Sequence, residues 1–402
     1  MTATTATSAR NDGDAGTAAM LALARDMAPA IGERAAKCEQ LRRLPEETDR
    51  AFRDAGFYRV LQPARFGGLE LDYGVQTDLA AEIGRACPSS AWVLSIIAAH
   101  GWILGMFPPT AQEELWGRTP DATVATSFLP RQMTVTQEAG GARIRGRWGF
   151  SSGVDYCAAA ILMTELPPAP GATAEPTFAL LPRSDYAIED TWHATGLAGT
   201  GSNDIVVADA FVPEHRLLPV RLTRGGPTPG SAMNPGHLYR LPLFAVFPFN
   251  LIGPAIGAAR GMLDGIVAEM RGRRSAAQVD LAAQQSVQLR VARAAALIDS
   301  SQNGLLPLRA EINRDGRESR LPSIERRMDY RLALAHSAQL CVEAVDQLYP
   351  LLGGRGLAVG NAGQRAWRDA HAVAQHLGLV WDVQAGLYGA VKLGHVCPDP
   401  KI

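Results

Sequence analysis

The sequence predicts an α+β protein in which a helical domain, a small all-β domain and a helix bundle follow one another along the chain. Helical periodicity dominates from Thr17 to about Asp121, short β-branched segments follow, and long helical patterns then return. Helices and strands are thus segregated rather than alternating, which disfavours a doubly wound parallel sheet. The nearest approach to a dinucleotide fingerprint, Gly199-Thr-Gly201-Ser-Asn-Asp204, lacks a third glycine and leads into a strand, so no helix N-terminus is there to receive a pyrophosphate.

Taken in order, residues 1–16 are rich in Thr, Ala, Asp and Gly with no apolar stretch behind a basic one. They read as a disordered tail, not a signal peptide. In the first domain, 17–121, the alanine-rich and charged segments Ala22 to Arg42 and Glu46 to Ala55 repeat every 3.6 residues, and Gly56 closes the second. Ser89 to Phe107 is apolar on every side after Pro88, which describes a helix buried all round and interrupted only by His100. The second domain, 122–222, holds expected strands at Ala122 to Phe128, Ala142 to Phe150, Ala158 to Glu165, Thr177 to Leu181 and Asp204 to Val212. A Pro/Gly-rich linker, Gly225 to Gly236, opens the third region, 223–402. Helices are expected there over Leu251 to Met270, Gln278 to Ser301, Ser323 to Tyr349 and Ala366 to Ala390, as a bundle.

Composition removes several function classes. Of the 402 residues, 39 are Lys or Arg and 40 Asp or Glu, so no global field draws the chain to nucleic acid or an anionic membrane. The 5 cysteines, Cys38, Cys87, Cys157, Cys341 and Cys397, form no C-x-x-C, so neither a disulfide framework nor a metal site is indicated, and a reducing, cytoplasmic setting follows. No apolar run reaches the roughly 18 residues of a bilayer span. The longest candidate, Leu241 to Ala259, is interrupted by Pro242, Pro248 and Pro254.

Chemistry is carried by few residues. On the last expected helix, Val373, His376, Val380, Val383 and Leu387 form a stripe in which His376 is the one polar member, so it should face an interior, either as a satisfied core histidine or as a functional one. His371 lies about 140° round that helix, too far to share a metal with it. His100 sits on a similar stripe with Trp92, Ile96 and Ile103. Arg147-Trp-Gly-Phe-Ser-Ser-Gly153 ends a strand with two hydroxyls and a glycine, either a serine-rich turn or a place where a planar ligand lies against Phe150.

From Leu21 to Leu393 the chain resembles the acyl-CoA dehydrogenase superfamily, and within it the oxygenase components of two-component (group D) flavin monooxygenases. The segments that carry the resemblance are Phe57-Tyr-Arg-Val-Leu-Gln-Pro-Ala-Arg-Phe-Gly-Gly68, Trp148 to Gly153, Thr191-Trp-His-Ala-Thr-Gly-Leu-Ala-Gly-Thr-Gly-Ser202 with Phe211-Val-Pro213, Leu352-Gly-Gly-Arg-Gly-Leu357, and Arg365-Ala-Trp-Arg-Asp369. The resemblance implies an N-terminal helical domain, a central β-barrel-like domain and a C-terminal four-helix bundle, with flavin held between domains and between subunits of a homotetramer.

A dehydrogenase of this family needs a carboxylate beside the flavin to remove an α-proton. The matching positions fall near Leu377 and Ile256. No acidic residue stands between Asp369 and Asp382, or between Glu214 and Asp264. The resemblance therefore implies a monooxygenase that hydroxylates an aromatic or polycyclic small molecule through a C4a-hydroperoxyflavin, using O2 and reduced flavin (FADH2 or FMNH2). Because no nicotinamide-binding motif is apparent, a separate NAD(P)H:flavin reductase would supply that flavin. Amino-sugar N-hydroxylation, acyl-CoA dehydrogenation and a non-catalytic ligand-binding role stay open.

By the same resemblance His376, His100 and Ser127 are the candidate catalytic residues, and Phe150, Ser151, Ser152 and Arg273 the candidate flavin contacts. Ser152 corresponds to a residue at flavin N5, Phe150 to one flanking the isoalloxazine, and Arg273 to one reaching a neighbouring subunit's flavin phosphate. With a histidine near 6.5 and a phenol near 10, proton transfer is uphill by roughly 5 kcal/mol in the ground state. His376 is accordingly expected to take the proton only as the ring attacks. Tyr156 stands where close phenol hydroxylases often carry histidine, which widens the range of substrates to be considered.

Overall fold

A computed structural model describes residues 3–167 and 174–402. Six helices come first: α1 (Ala3–Glu33), α2 (Ala35–Leu41), α3 (Glu46–Asp54), α4 (Val75–Gly84), α5 (Pro88–Leu104) and α6 (Pro109–Trp116). The segment 3–16, expected as a disordered tail, continues α1 instead: its alanines favour helix, and the first proline in the helix is Pro29. Every residue of α5 is buried, as its all-round apolar sequence requires. This helix packs on α4, on the later helix α8 (Phe249–Met270), on the first strand and on the turn Ala198–Thr200, so it is the element on which the domains meet.

The central region has eight strands: β1 (Val124–Ser127), β2 (Leu129–Glu138), β3 (Gly141–Ser151), β4 (Ala159–Leu166), β5 (Glu175–Pro182), β6 (Ala187–Glu189), β7 (Asn203–Pro213) and β8 (Leu217–Pro219). They form two four-stranded sheets, β1-β4-β5-β8 and β2-β3-β7-β6, in which β1 runs parallel to β4 and every other pair is antiparallel. Three strands were not expected from the sequence. β2 is mostly exposed and so lacks an apolar alternation, while β6 and β8 have only three residues each.

The C-terminal helices are a short α7 (Leu243–Val246), α8, α9 (Gln285–Arg317), α10 (Ile324–Leu352), α11 (Ala362–Ala374) and α12 (Trp381–Lys392). Helices α8 to α11 pack on one another and α12 packs on α10. The prolines expected to interrupt the 241–259 stretch do not end α8. Pro248 caps it and Pro254 lies near its start. The span Leu243–Met270 has the length and mean hydropathy, 1.4, of a membrane-crossing helix, but 89% of its most apolar window is buried inside the protein. The helix expected from Gln278 begins at Gln285 and runs on to Arg317 through Pro307.

Two expected helices are divided: Ala22 to Arg42, between α1 and α2 at Arg34, and Ala366 to Ala390. The latter stops at Ala374 and restarts at Trp381, so His376 sits in the connection rather than on a helical stripe, and Val383 is exposed. In this connection a Cβ on Gly378 would lie 3.0 Å from Leu251 Cδ1 of α8 and 3.4 Å from His376 Nδ1, so a side chain there would require its neighbours to shift.

Candidate active site

Three elements meet around α5: the end of β3, the turn 197–202, and the connection between α11 and α12. The β3–β7 register shifts between Trp148 and Ser151, a bulge that places Phe150 at φ +62° with half of its side chain (51%) exposed. A left-handed aromatic residue is disfavoured, and such strain concentrates at functional sites. Trp192 meets the Phe150 ring edge-on, with centroids 6.0 Å apart, and Arg131 stands 5.5 Å from its centre. Ser151 follows, fully buried, its hydroxyl without a hydrogen-bond partner among the described residues. After Ser152 the chain turns at Gly153, φ +68°, where a Cβ would come within 2.8 Å of Val93 on α5.

Ser152 lies in a chain of buried hydroxyls that ends on a backbone carbonyl. Trp92 on α5 donates its indole N–H to Ser152 Oγ at 3.0 Å. Ser152 and Ser202 are 2.8 Å apart, and Ser202 and Thr200 are 2.7 Å apart. Thr200 Oγ1 lies 2.9 Å from the Leu197 carbonyl, which can only accept and which also receives Thr200 N–H at 3.1 Å. With the Thr200 proton on that carbonyl, Ser202 donates to Thr200, and Ser152 to Ser202. The end of the chain is anchored: Leu197, at φ +51°, also accepts the Trp192 indole N–H at 2.9 Å and gives its own N–H to Asp369 Oδ1 at 2.6 Å. Burial pushes the Asp369 carboxyl up to about 7.

The Trp92 ring also faces His376, centroids 5.6 Å apart. Gly378 N–H donates to His376 Nδ1 at 3.0 Å, so the neutral ring carries its proton on Nε2. Burial, assisted by the positive charge of Arg331, brings His376 down to about 4, and the imidazole is neutral at physiological pH.

The other sequence-predicted residues have different surroundings. His100 is buried, with Nδ1–H donating to the Val124 carbonyl at 2.9 Å and Nε2 accepting from Thr126 Oγ1 at 2.7 Å. Burial pushes it down to about 3. Both nitrogens are engaged by β1, so His100 fastens α5 to that strand and offers no free proton site. Ser127 points the other way, as alternation along β1 requires, and donates to the Gly149 carbonyl at 2.5 Å. Thr126, its neighbour, is the hydroxyl that meets His100. Ser127→Ala is therefore expected to cost about 1–2 kcal/mol of stability through the buried carbonyl it leaves unpaired, measurable by denaturant titration, while any catalytic turnover stays within about twofold. Arg273 donates to Glu269 at 2.9 Å and to the Leu351 carbonyl at 3.1 Å, which ties it to the C-terminal end of α10.

Sequence reasoning missed the polar role of Trp92 and the parts played by Thr126, Thr200, Ser202 and Asp369. Four of these sit in quoted segments or in the buried helix, but no spacing rule joins a helix, a bulge and a turn. Among the described residues, Asp49 is held by Arg53 and Tyr58, Asp204 by Arg147 through Oδ2, and Asp369 by Leu197 N–H through Oδ1, while Asp204 Oδ1 and Asp369 Oδ2 have no hydrogen-bond partner.

A flat heteroaromatic ring fits this arrangement on the structure's own terms. Phe150 presents an aromatic face, Ser151 has a buried hydroxyl without a partner, and Ser152 has one lone pair left after Trp92 has used the other.

Residues 17–117 match the acyl-CoA dehydrogenase N-terminal domain and residues 251–381 the acyl-CoA dehydrogenase C-terminal domain. The chain is 36% identical over 370 residues to the FADH(2)-dependent resorcinol hydroxylase, oxygenase component, of Rhizobium sp. (strain MTP-10005), covering 90% of each. The 3-HSA hydroxylase from Rhodococcus sp. RHA1 has a crystal structure similar to this fold at TM-score 0.89 and 32% identity, over 94% of this chain and 97% of that one. XiaF from Streptomyces sp., solved with FADH2 and glycerol, is similar at TM-score 0.91 and 26% identity, over 98% of this chain and 100% of the other.

Proposed function

Since this chain belongs to the acyl-CoA dehydrogenase superfamily, in its branch of flavin-dependent oxygenase components, we propose that it is a reduced-flavin-dependent monooxygenase whose substrate is a small aromatic compound bearing a phenolic hydroxyl. The observation that carries this reading is the pairing, across Trp92, of an acceptor hydroxyl on Ser152 with a neutral imidazole on His376. A dehydrogenase requires a carboxylate in that place, and no acidic residue stands between Asp369 and Asp382 or between Glu214 and Asp264.

In this reading Phe150 flanks the flavin ring, Ser151 offers it a hydroxyl, and the free lone pair of Ser152 accepts the N–H at its N5 position. Bound reduced flavin would supply the two electrons that activate O2, of which one oxygen atom passes to the substrate and the other leaves as water. The apolar, fully buried α5 excludes water from the neighbourhood. His376 holds the substrate oxygen through Nε2–H and so orients the aromatic ring for reaction. A base role suits it less well. With the imidazole near 4, taking a proton from a phenol near 10 is uphill by roughly 8 kcal/mol. Its acceptor nitrogen is in any case held by Gly378 N–H.

The reduced flavin comes from a separate NAD(P)H:flavin reductase, consistent with the oxygenase-component naming of the resorcinol hydroxylase. A homotetramer belongs to the proposal as well. The exposed apolar residues Leu357, Val359, Leu393 and Val396 support it, since subunit contacts would cover such side chains. The five free thiols support a cytoplasmic setting.

The test is a turnover screen. Protein, FADH2 or FMNH2 and O2 are mixed with phenols, indoles, polyketide quinols and amino sugars, and products are read by mass. A gain of one oxygen on phenolic substrates is expected. Oxygen gained only on amines, or desaturation of an acyl thioester, would overturn the proposal.

A further inference from the structure

Reduced and oxidised flavins differ at N5 in hydrogen-bond sense: the reduced ring carries N–H and donates, whereas the oxidised ring presents a lone pair and accepts. The hydroxyl chain described above bears directly on that difference. With Thr200 donating to the Leu197 carbonyl, Ser202 donates to Thr200 and Ser152 to Ser202. Trp92 N–H occupies one lone pair of Ser152 from the other side. Ser152 is thereby left as an acceptor with its proton turned away. Such a group pairs with the reduced ring and opposes a lone pair on the oxidised one.

We propose that Ser202 and Thr200 are positioning residues that make the site selective for reduced over oxidised flavin by fixing the polarity of Ser152. This rests on the reading that Ser152 faces flavin N5, and it adds two residues that need not touch the flavin themselves. The remote end is well held: Asp369 and Trp192 fix the Leu197 peptide that terminates the chain. Both hydroxyls are buried, and a buried donor left without an acceptor is costly, so water does not readily randomise the direction.

The test compares dissociation constants of the full-length protein for FAD and for anaerobically prepared FADH2, with FMN and FMNH2 as a parallel pair. Ser202→Ala frees the Ser152 proton to turn towards oxidised N5. Thr200→Val, nearly isosteric, removes the acceptor for Ser202, which then donates back to Ser152 and frees the same proton without altering a residue beside it. Both variants are expected to lower the oxidised-to-reduced ratio of dissociation constants by about tenfold, the size of one hydrogen bond gained or lost. Tenfold corresponds to about 30 mV in the two-electron potential of the bound flavin. Ser202→Thr keeps the hydroxyl and is expected to restore the wild-type ratio. Equal weakening of both redox states in Ser202→Ala and Thr200→Val would indicate a merely structural role and overturn the proposal. An unchanged ratio in those variants, with a shifted ratio in Ser152→Ala, would overturn it while leaving Ser152 at N5. An unchanged ratio in Ser152→Ala as well would remove Ser152 from N5 and with it the placement of the flavin.

Discussion

Replacing Ser152 by alanine is expected to divert reduced flavin and O2 from product to hydrogen peroxide, lowering the ratio of hydroxylated product to peroxide by about 100-fold. The oxygen atom of this serine is buried, held by Trp92 and Ser202, and oriented to accept one further N–H. Without it the flavin loses the fixed partner that opposes loss of its N5 proton, and release of peroxide competes with transfer to the substrate. The size follows from what one preorganised donor or acceptor in a dry site contributes, about 3 kcal/mol. Product and peroxide are quantified together in a single turnover. Ser152→Thr, which keeps a hydroxyl, separates loss of the hydrogen bond from loss of packing. Unchanged coupling in Ser152→Ala would place the N5 contact elsewhere, with Ser151 and its unpartnered hydroxyl the next candidate.

His376→Ala is expected to slow hydroxylation by about 100-fold, the size of a lost group that positions the reacting ring. Reduced-flavin binding should change little, because in the proposed arrangement this ring faces the substrate and not the flavin. The pH dependence distinguishes donor from base. The imidazole is held near 4, so it stays neutral above about pH 5, and the wild-type rate of ring hydroxylation should show no limb near 6.5. Protonation below about pH 4 would break the bond from Gly378 N–H to Nδ1, so activity is expected to fall only on that acidic side. Rapid-quench rates from pH 5 to 9 check this. A rise through 6.5 that disappears in His376→Ala would instead make the histidine a base.

How far the sequence reaches is clearest on particular elements. The buried character of α5 and the switch from helices to strands follow from periodicity, because burial on all sides or on alternate sides leaves a direct trace in residue order. The break at His376 left only a weak trace, Gly378, since a single glycine is tolerated in a helix. Ser127 follows from the family resemblance, and residue order does not tell which of two neighbouring hydroxyls meets His100. Only the observed register shows that Thr126 meets His100 and Ser127 meets Gly149. That a strand ends with the two hydroxyls of Ser151 and Ser152 was legible in residue order. The bulge and the hydroxyl chain behind it were not, because both depend on β7 and the turn 197–202 arriving from fifty residues away.

The account stands most directly on the origin of the oxygen atom. A single turnover in 18O2 with the protein, reduced flavin and a dihydroxybenzene such as resorcinol, with no reductase present, should yield a product carrying one 18O atom on the ring. A product without the label, or peroxide alone with every phenol tried, would contradict it.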